Sequence, residues 1–211
     1  MKPPTLETAY GVFFDYLHRN RQRYLVIGAL AVGMLGEARL TRDLDFLLFL
    51  APDTLDQFLR GAKRRGLALN FAAVRRMVEE TGTLRLSYRG VPIDCLVAST
   101  PLEEQMWQRS KKLRLYGRTA HFPSPEDLIL LKLLPGRPKD LLDAEGVLLR
   151  HKGRLDLSYL RKTAQRMADE LQDARIWRRL KQLLSGLPLS SMPGFLKGMG
   201  AGEFREKRDR W

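Results

Sequence analysis

Asp43 and Asp45 stand one residue apart at the head of an apolar run, F-L-L-F-L at residues 46–50. In a strand, residues two apart point to the same face, so both carboxylates project together. The run behind them is apolar on both faces, which is the pattern of a strand buried inside a sheet. Two like charges at the mouth of such a strand repel each other and lose solvation unless something positive lies between them. A divalent metal ion is the simplest candidate. An acidic pair flanking a strand is also a common surface feature, so the pair alone does not decide the matter.

The residues before the pair set up a strand (24–27), a turn at Gly28, a short helix (29–35) and a closing Gly36. A glycine between a strand and a helix lets the backbone approach a phosphate, whose charge is favoured at a helix N-terminus. The spacing is not that of a Walker loop, and Gly28, Gly33 and Gly36 match no dinucleotide fingerprint. A glycine at a strand end is also an ordinary turn.

A third carboxylate narrows the choice. Asp94 sits in V-P-I-D-C-L-V (91–97), an otherwise apolar strand in which Ile93 and Cys95 point the other way. A mid-strand aspartate with apolar neighbours needs a partner. That partner is a metal shared with Asp43 and Asp45, or one of the many arginines. Three carboxylates on two separate strands, if those strands lie side by side, suit Mg²⁺, up to two ions, which take oxygen ligands and bridge phosphates. Cys95 is the chain's only cysteine, which excludes an internal disulfide and a cysteine-built zinc site. It is read as core packing.

Elsewhere the periodicity predicts a helix over 5–23 with Thr5 as N-cap, and a helix over 55–65 capped by Asp53 or Thr54. It predicts another over 71–80, a hairpin of 83–88 and 91–98 about Arg89-Gly90, a basic helix over 102–114, and a short strand over 116–122. After Pro123 the pattern turns helical: Ser124 caps 126–134, a Pro-Gly-Arg-Pro break follows, then 139–150, and two more segments to about 185. These boundaries give a core domain at 1–122, a helical lobe at 123–185 and a loose tail at 186–211.

Lys132 is the only charge in the apolar stretch 128–134, and Arg137, Lys139, Asp140 and Asp143 follow around the break. Lys132 is read either as a cation aimed into a cleft to hold a triphosphate or as a side chain that snorkels to the surface. Asp140 and Asp143, one helical turn apart, either brace Arg137 or Lys132 or form a solvated face.

With a net charge of +13, the chain favours a polyanionic partner. Arg109, Lys111, Lys112, Arg114 and Arg118 are candidate backbone contacts. So are Arg161, Lys162, Arg166, Arg175, Arg178, Arg179 and Lys181, although a charged helical face is often only solvated. An arginine-biased composition with no such partner is the plainer reading. The N-terminus lacks the apolar region of a signal peptide, and no uncharged stretch approaches the roughly 18 residues that span a bilayer. The expectation is a soluble, cytoplasmic protein with no membrane partner.

Three segments, V-I-G-A-L-A-V-G-M-L-G-E-A-R-L-T-R-D-L-D-F-L, P-I-D-C-L and S-P-E-D-L-I-L-L-K-L-L-P-G-R-P-K-D-L-L-D, occur in this order over residues 25–149. In them the chain resembles the nucleotidyltransferase superfamily, and more narrowly its branch of AbiEii-type and MenT toxins. Where that family usually carries Gly-Gly or Gly-Ser, this chain has Gly28-Ala29, which keeps the backbone amide and lacks a hydroxyl.

The resemblance implies an α/β (α+β) fold: a mixed sheet flanked by helices, followed by a C-terminal helical lobe that closes a nucleotide cleft. It implies Mg²⁺ on Asp43 and Asp45, with Asp94 completing the acidic set and positioning or deprotonating the attacking hydroxyl. Gly28, Ala29, Arg39, Thr41, Arg42, Lys132, Arg137 and Asp140 form the expected nucleotide-binding set. The implied chemistry is transfer of NMP from an NTP to an acceptor hydroxyl. The basic segments make RNA, and tRNA first, the expected acceptor, with a small-molecule or protein acceptor left open. An antitoxin is the further partner if the chain is a toxin. The competing reading is a non-catalytic nucleotide- or RNA-binding regulator on the same fold.

Overall fold

The computed structural model describes residues 5–186, so the expected tail lies outside the described residues from position 187 onward. Helix α1 (Leu6–Arg19) is capped by Thr5, whose hydroxyl accepts the Thr8 N–H at 3.2 Å. It stops before the expected residue 23. Asn20 ends it, and Arg21, at φ +50°, turns the chain through a left-handed conformation into strand β1 (Tyr24–Val26). Helix α2 (Gly28–Leu35) and strand β2 (Leu44–Leu48) follow. Asp43 is thus the residue just before the strand and Asp45 lies within it.

A short 3₁₀ turn (Pro52–Thr54) leads into α3 (Leu55–Arg64). The cap expected there is not made by Thr54, whose hydroxyl donates to the Ala51 carbonyl instead, at 2.7 Å. Helix α4 (Phe71–Thr81), capped by Asn70, precedes β3 (Thr83–Tyr88) and β4 (Val91–Val97). Arg89 and Gly90, both at positive φ, form the two-residue turn between these strands.

The basic helix expected over 102–114 is a correction. Helix α5 (Pro101–Gln108) ends early, and Lys111–Leu115 is strand β5, paired antiparallel with β6 (Arg118–Phe122). The turn between them, Tyr116-Gly117, has both residues at positive φ. K-K-L-R-L alternates as a half-exposed edge strand does, and pairing across the turn prevails over the helix propensity of its lysines and leucines. The remaining helices are α6 (Pro125–Leu133), α7 (Pro138–Arg150), α8 (Leu157–Glu170) and α9 (Ala174–Ser185).

The four-stranded sheet has the order β1-β2-β4-β3. β2 runs antiparallel to β1 and parallel to β4, and β3 runs antiparallel to β4. β2 is therefore interior, which explains its two apolar faces. Leu44, Phe46, Leu47 and Leu48 are all fully buried. Phe46 lies under the aromatic side chains of α1, 4.9 Å from Phe13 and 6.3 Å from Tyr10 by ring centroid. Burying that one ring contributes about 2–3 kcal/mol. Asp43 and Asp45 have the opposite parity and leave the other face of the strand.

Residue contacts divide the chain into two compact units. Among the described residues, one holds 5–30, 39–99 and 110–122; the other holds 31–38, 100–109 and 123–186. In the second unit, α6 is buried along most of its length. Ser124 caps it by accepting the Asp127 N–H at 3.2 Å, and Asp127 accepts the Ser124 hydroxyl at 2.8 Å. At its other end the buried Arg179 of α9 donates to the Leu133 carbonyl at 2.8 Å. Among the described residues, no helix is long and apolar enough to cross a membrane.

Candidate metal and nucleotide site

The register of the sheet carries the acidic cluster. Asp45 on β2 pairs with Asp94 on β4, and Asp94 pairs in turn with Arg85 on β3. Asp43, two positions before Asp45, has the same orientation. One oxygen from each of Asp43, Asp45 and Asp94 lies within 4.8 Å of the others, and all three residues are partly exposed. An all-oxygen donor set of this kind suits a hard divalent cation such as Mg²⁺. The residues present therefore fit the ion.

The three aspartates are held from different sides. Thr41 donates its hydroxyl to the Asp43 carboxylate. The Ile27 N–H donates to the Asp45 carbonyl at 2.9 Å, which fastens the end of β1 to the middle of the site. Gly28 follows at φ +63°, and a Cβ on it would collide with the Asp45 carboxylate. The position therefore needs glycine twice over, for its left-handed backbone and for the carboxylate that lies against it. Gly28 is also the first residue of α2, so the Asp45 charge sits at the positive end of that helix.

Arg85 grips Asp94 as a fork. Its Nε donates to Oδ1 at 2.5 Å and its Nη2 to Oδ2 at 2.9 Å. Asp94 raises the Arg85 pKa above its ordinary value, and Asp43 and Asp45 add to the effect. Arg85 is absent from the residues that motif reasoning picks out. The signal was available: a two-residue turn at Arg89-Gly90 sets Tyr88 against Val91, and counting outward sets Arg85 against Asp94. Cys95, next to Asp94, is buried on the opposite face, where desolvation pushes its thiol pKa well up. It is packing, as its position in the strand predicts.

Of the other expected nucleotide contacts, Ala29 is buried in α2, while Arg39 and Arg42 are exposed in the loop before β2. These belong to the first unit. Lys132, Arg137 and Asp140 belong to the second. Lys132 does not snorkel: it is buried, with Nζ 3.0 Å from Asp140 Oδ1 and 2.8 Å from Asp143 Oδ2. Arg137 Nε reaches the other oxygen of Asp140 at 2.6 Å. Asp140 and Asp143 are accordingly buried braces, not a solvated face.

The basic residues also sort themselves. Arg109 donates to Ser124 Oγ, Glu126 and Asp127 and lies 3.8 Å over the Tyr159 ring, so it fastens the start of α6. Arg179 is buried, and Arg118 and Arg175 are paired with Asp15 and Asp173. Lys111, Lys112 and Arg114 remain exposed on β5. Arg161, Lys162 and Arg166 of α8, with Trp177 of α9, line a groove of about 540 Å³ that also takes in Asp169 and Glu170.

No curated protein matches the chain. Among solved structures, the crystal structure of an antigenic nucleotidyltransferase-like protein from Paracoccidioides brasiliensis is similar, at a TM-score of 0.47 and 16% identity. That likeness covers 81% of this chain and 91% of the other. Residues 14–185, which contain the whole acidic cluster and both halves of the Lys132 network, match the family described as nucleotidyltransferase of unknown function (DUF6036), and the chain belongs to that family.

Proposed function

We propose that the protein is a Mg²⁺-dependent nucleotidyltransferase that moves NMP from an NTP to a hydroxyl of RNA, with tRNA as the first acceptor. The observation that carries this reading is the convergence of Asp43, Asp45 and Asp94 on one face of the sheet, with Gly28 held against Asp45. Asp43, Asp45 and Asp94 would hold the ions. Bound there, Mg²⁺ supplies positive charge to the phosphates as negative charge builds on them. Asp94 orients the acceptor hydroxyl and takes its proton. A bond forms between that oxygen and the α-phosphorus while the bond from the α-phosphorus to the bridging oxygen breaks, and pyrophosphate leaves. Gly28 and Ala29 offer backbone at the start of α2, and Arg39, Thr41 and Arg42 supply the loop beside it.

In the second unit Arg137 is the Asp140 partner that is open to solvent, with close to half its side chain exposed, whereas Lys132 is buried. It is the one proposed to meet a phosphate, while Lys132 and Asp140 hold it in position. RNA as acceptor is supported by the charge of +13 and by the α8–α9 groove, in which three basic side chains accompany Trp177. A toxin role with a cognate antitoxin follows from the resemblance to AbiEii-type proteins and belongs to the same proposal.

The test is to incubate the protein with Mg²⁺, each labelled NTP and total tRNA, alongside Asp43→Ala and Asp45→Ala. Labelled RNA from wild type alone supports the reading. No label and no Mg-NTP binding sink it. The hold of Arg85 on Asp94 and the alanine at position 29 favour a second reading, a nucleotide- or RNA-binding regulator with an idle site. RNA binding without NTP binding would select it.

A further inference from the structure

The Arg85 fork occupies the one carboxylate of the cluster that comes from β4. Arg85 and Asp94 are register partners in an antiparallel pair, so their side chains leave the same face of the sheet side by side. Both oxygens of Asp94 accept from the guanidinium. One of these two oxygens is the atom that brings Asp94 within 4.8 Å of Asp43 and Asp45. A dication drawing on Asp94 therefore meets a fixed positive charge already bonded to its ligand.

From this geometry we infer that Arg85 and a divalent cation compete for the Asp94 carboxylate, so that Arg85 sets how many ions the site takes. The inference rests on the metal-binding reading of the cluster and adds to it a gate that no nucleotide contact supplies. Arg85 stands in for the charge of one ion. With it in place, Asp43 and Asp45 hold a first cation, and a second binds only as the guanidinium swings away from Asp94. The exchange is open to it because the Arg85 side chain is 66% exposed, and an ion pair so wetted is readily traded for another partner. Lysine in its place would bring a point charge without the fork and compete less well.

The experiment counts bound Mn²⁺ on the full chain, without nucleotide, by electron paramagnetic resonance and calorimetry at low salt. Wild type is expected to take one ion tightly and a second weakly. Arg85→Ala tightens the second by about ten-fold, the scale set by losing a charge-assisted fork, and Arg85→Lys falls between the two. In an Asp94→Asn background, Arg85→Ala changes nothing. Equal stoichiometry and affinity in wild type, Arg85→Lys and Arg85→Ala would overturn the inference and leave the metal site standing. Absence of Mn²⁺ binding in all of these proteins would overturn the metal reading itself, and this inference with it.

Discussion

Asp45 and Asp94 are direct register partners across β2 and β4, the parallel pair of the four-stranded sheet. Side chains in such a pair lie close enough that like charges work against each other. Whatever cation binds between them is therefore linked to folding. Adding Mg²⁺ or Mn²⁺ at about a hundred times its dissociation constant should stabilise the wild type by about 2.7 kcal/mol. Thermal melts with and without metal check this, and Asp45→Asn should lose most of the shift.

Gly28 lies directly against the Asp45 carboxylate. Gly28→Ala meets both a left-handed backbone and the Asp45 carboxylate, and should cost about 1–3 kcal/mol in urea unfolding together with the metal-dependent shift. Part of that cost should vanish in an Asp45→Ala background. An additive double-mutant cycle would show that the two positions do not act on each other.

Lys132 and Arg137 share Asp140 but should respond very differently to substitution. Lys132→Met removes the buried cation that Asp140 and Asp143 share, leaving Asp140 to Arg137, at about 3–5 kcal/mol. Arg137→Ala removes a half-exposed partner and should cost under about 1 kcal/mol. If nucleotide affinity falls in Arg137→Ala at unchanged melting temperature, Arg137 is the phosphate contact of the pair.

Burial lowers the pKa of both His121 and His151 from the ordinary 6.5. The Nε2 of His151 is buried with no hydrogen-bond partner among the described residues. Below pH 6.5 the unfolded chain binds more protons at these positions than the folded one. Stability is thus full above that pH and drains away as the pH falls through the window beneath it. Melting temperature should drop between about pH 7 and about pH 5.5, and a His121→Gln, His151→Gln double variant should flatten the slope.

If RNA lies in the α8–α9 groove as proposed, its binding should depend on salt in a defined way. Alanine at Arg161, Lys162 or Arg166 should lower the slope of log affinity against log salt by about one for each phosphate that the native side chain neutralises. Trp177→Ala should weaken binding by about 1–3 kcal/mol with the slope unchanged. Filter binding across a salt series distinguishes the two effects.

Much of this architecture was legible in the sequence. The run behind Asp45 could only be an interior strand, since every residue from Phe46 to Leu48 is apolar and both faces must be covered. Thr5 and Ser124 announced their helices through hydroxyls placed to accept an N–H. Lys111–Leu115 was misread because lysine and leucine are good helix formers, while its strand character depends on a partner beyond the Tyr116-Gly117 turn. Arg179 and Arg109 looked like surface charge for a related reason. A guanidinium that fastens a helix end differs from a solvated one only in what lies beside it. Asp94 and Arg85 mark the other limit, because each of the two partners imagined for that aspartate, a metal and an arginine, has a claim on it.

Parallel pairing of β2 with β4 has a kinetic side. The chain between them must first run through α3, α4 and the whole of β3 before Asp94 can lie beside Asp45. A growing chain that has reached only Leu50 holds Asp43 and Asp45 without Asp94 and cannot complete the cluster. Contacts separated so far along the sequence close late, after local helices and hairpins have formed. The β3–β4 hairpin is such a local element, and it already joins Arg85 to Asp94. The third carboxylate should therefore arrive at the site with its guanidinium attached. Metal competence would then be among the last properties the folding protein acquires, and stopped-flow refolding in the presence of Mn²⁺ would time it.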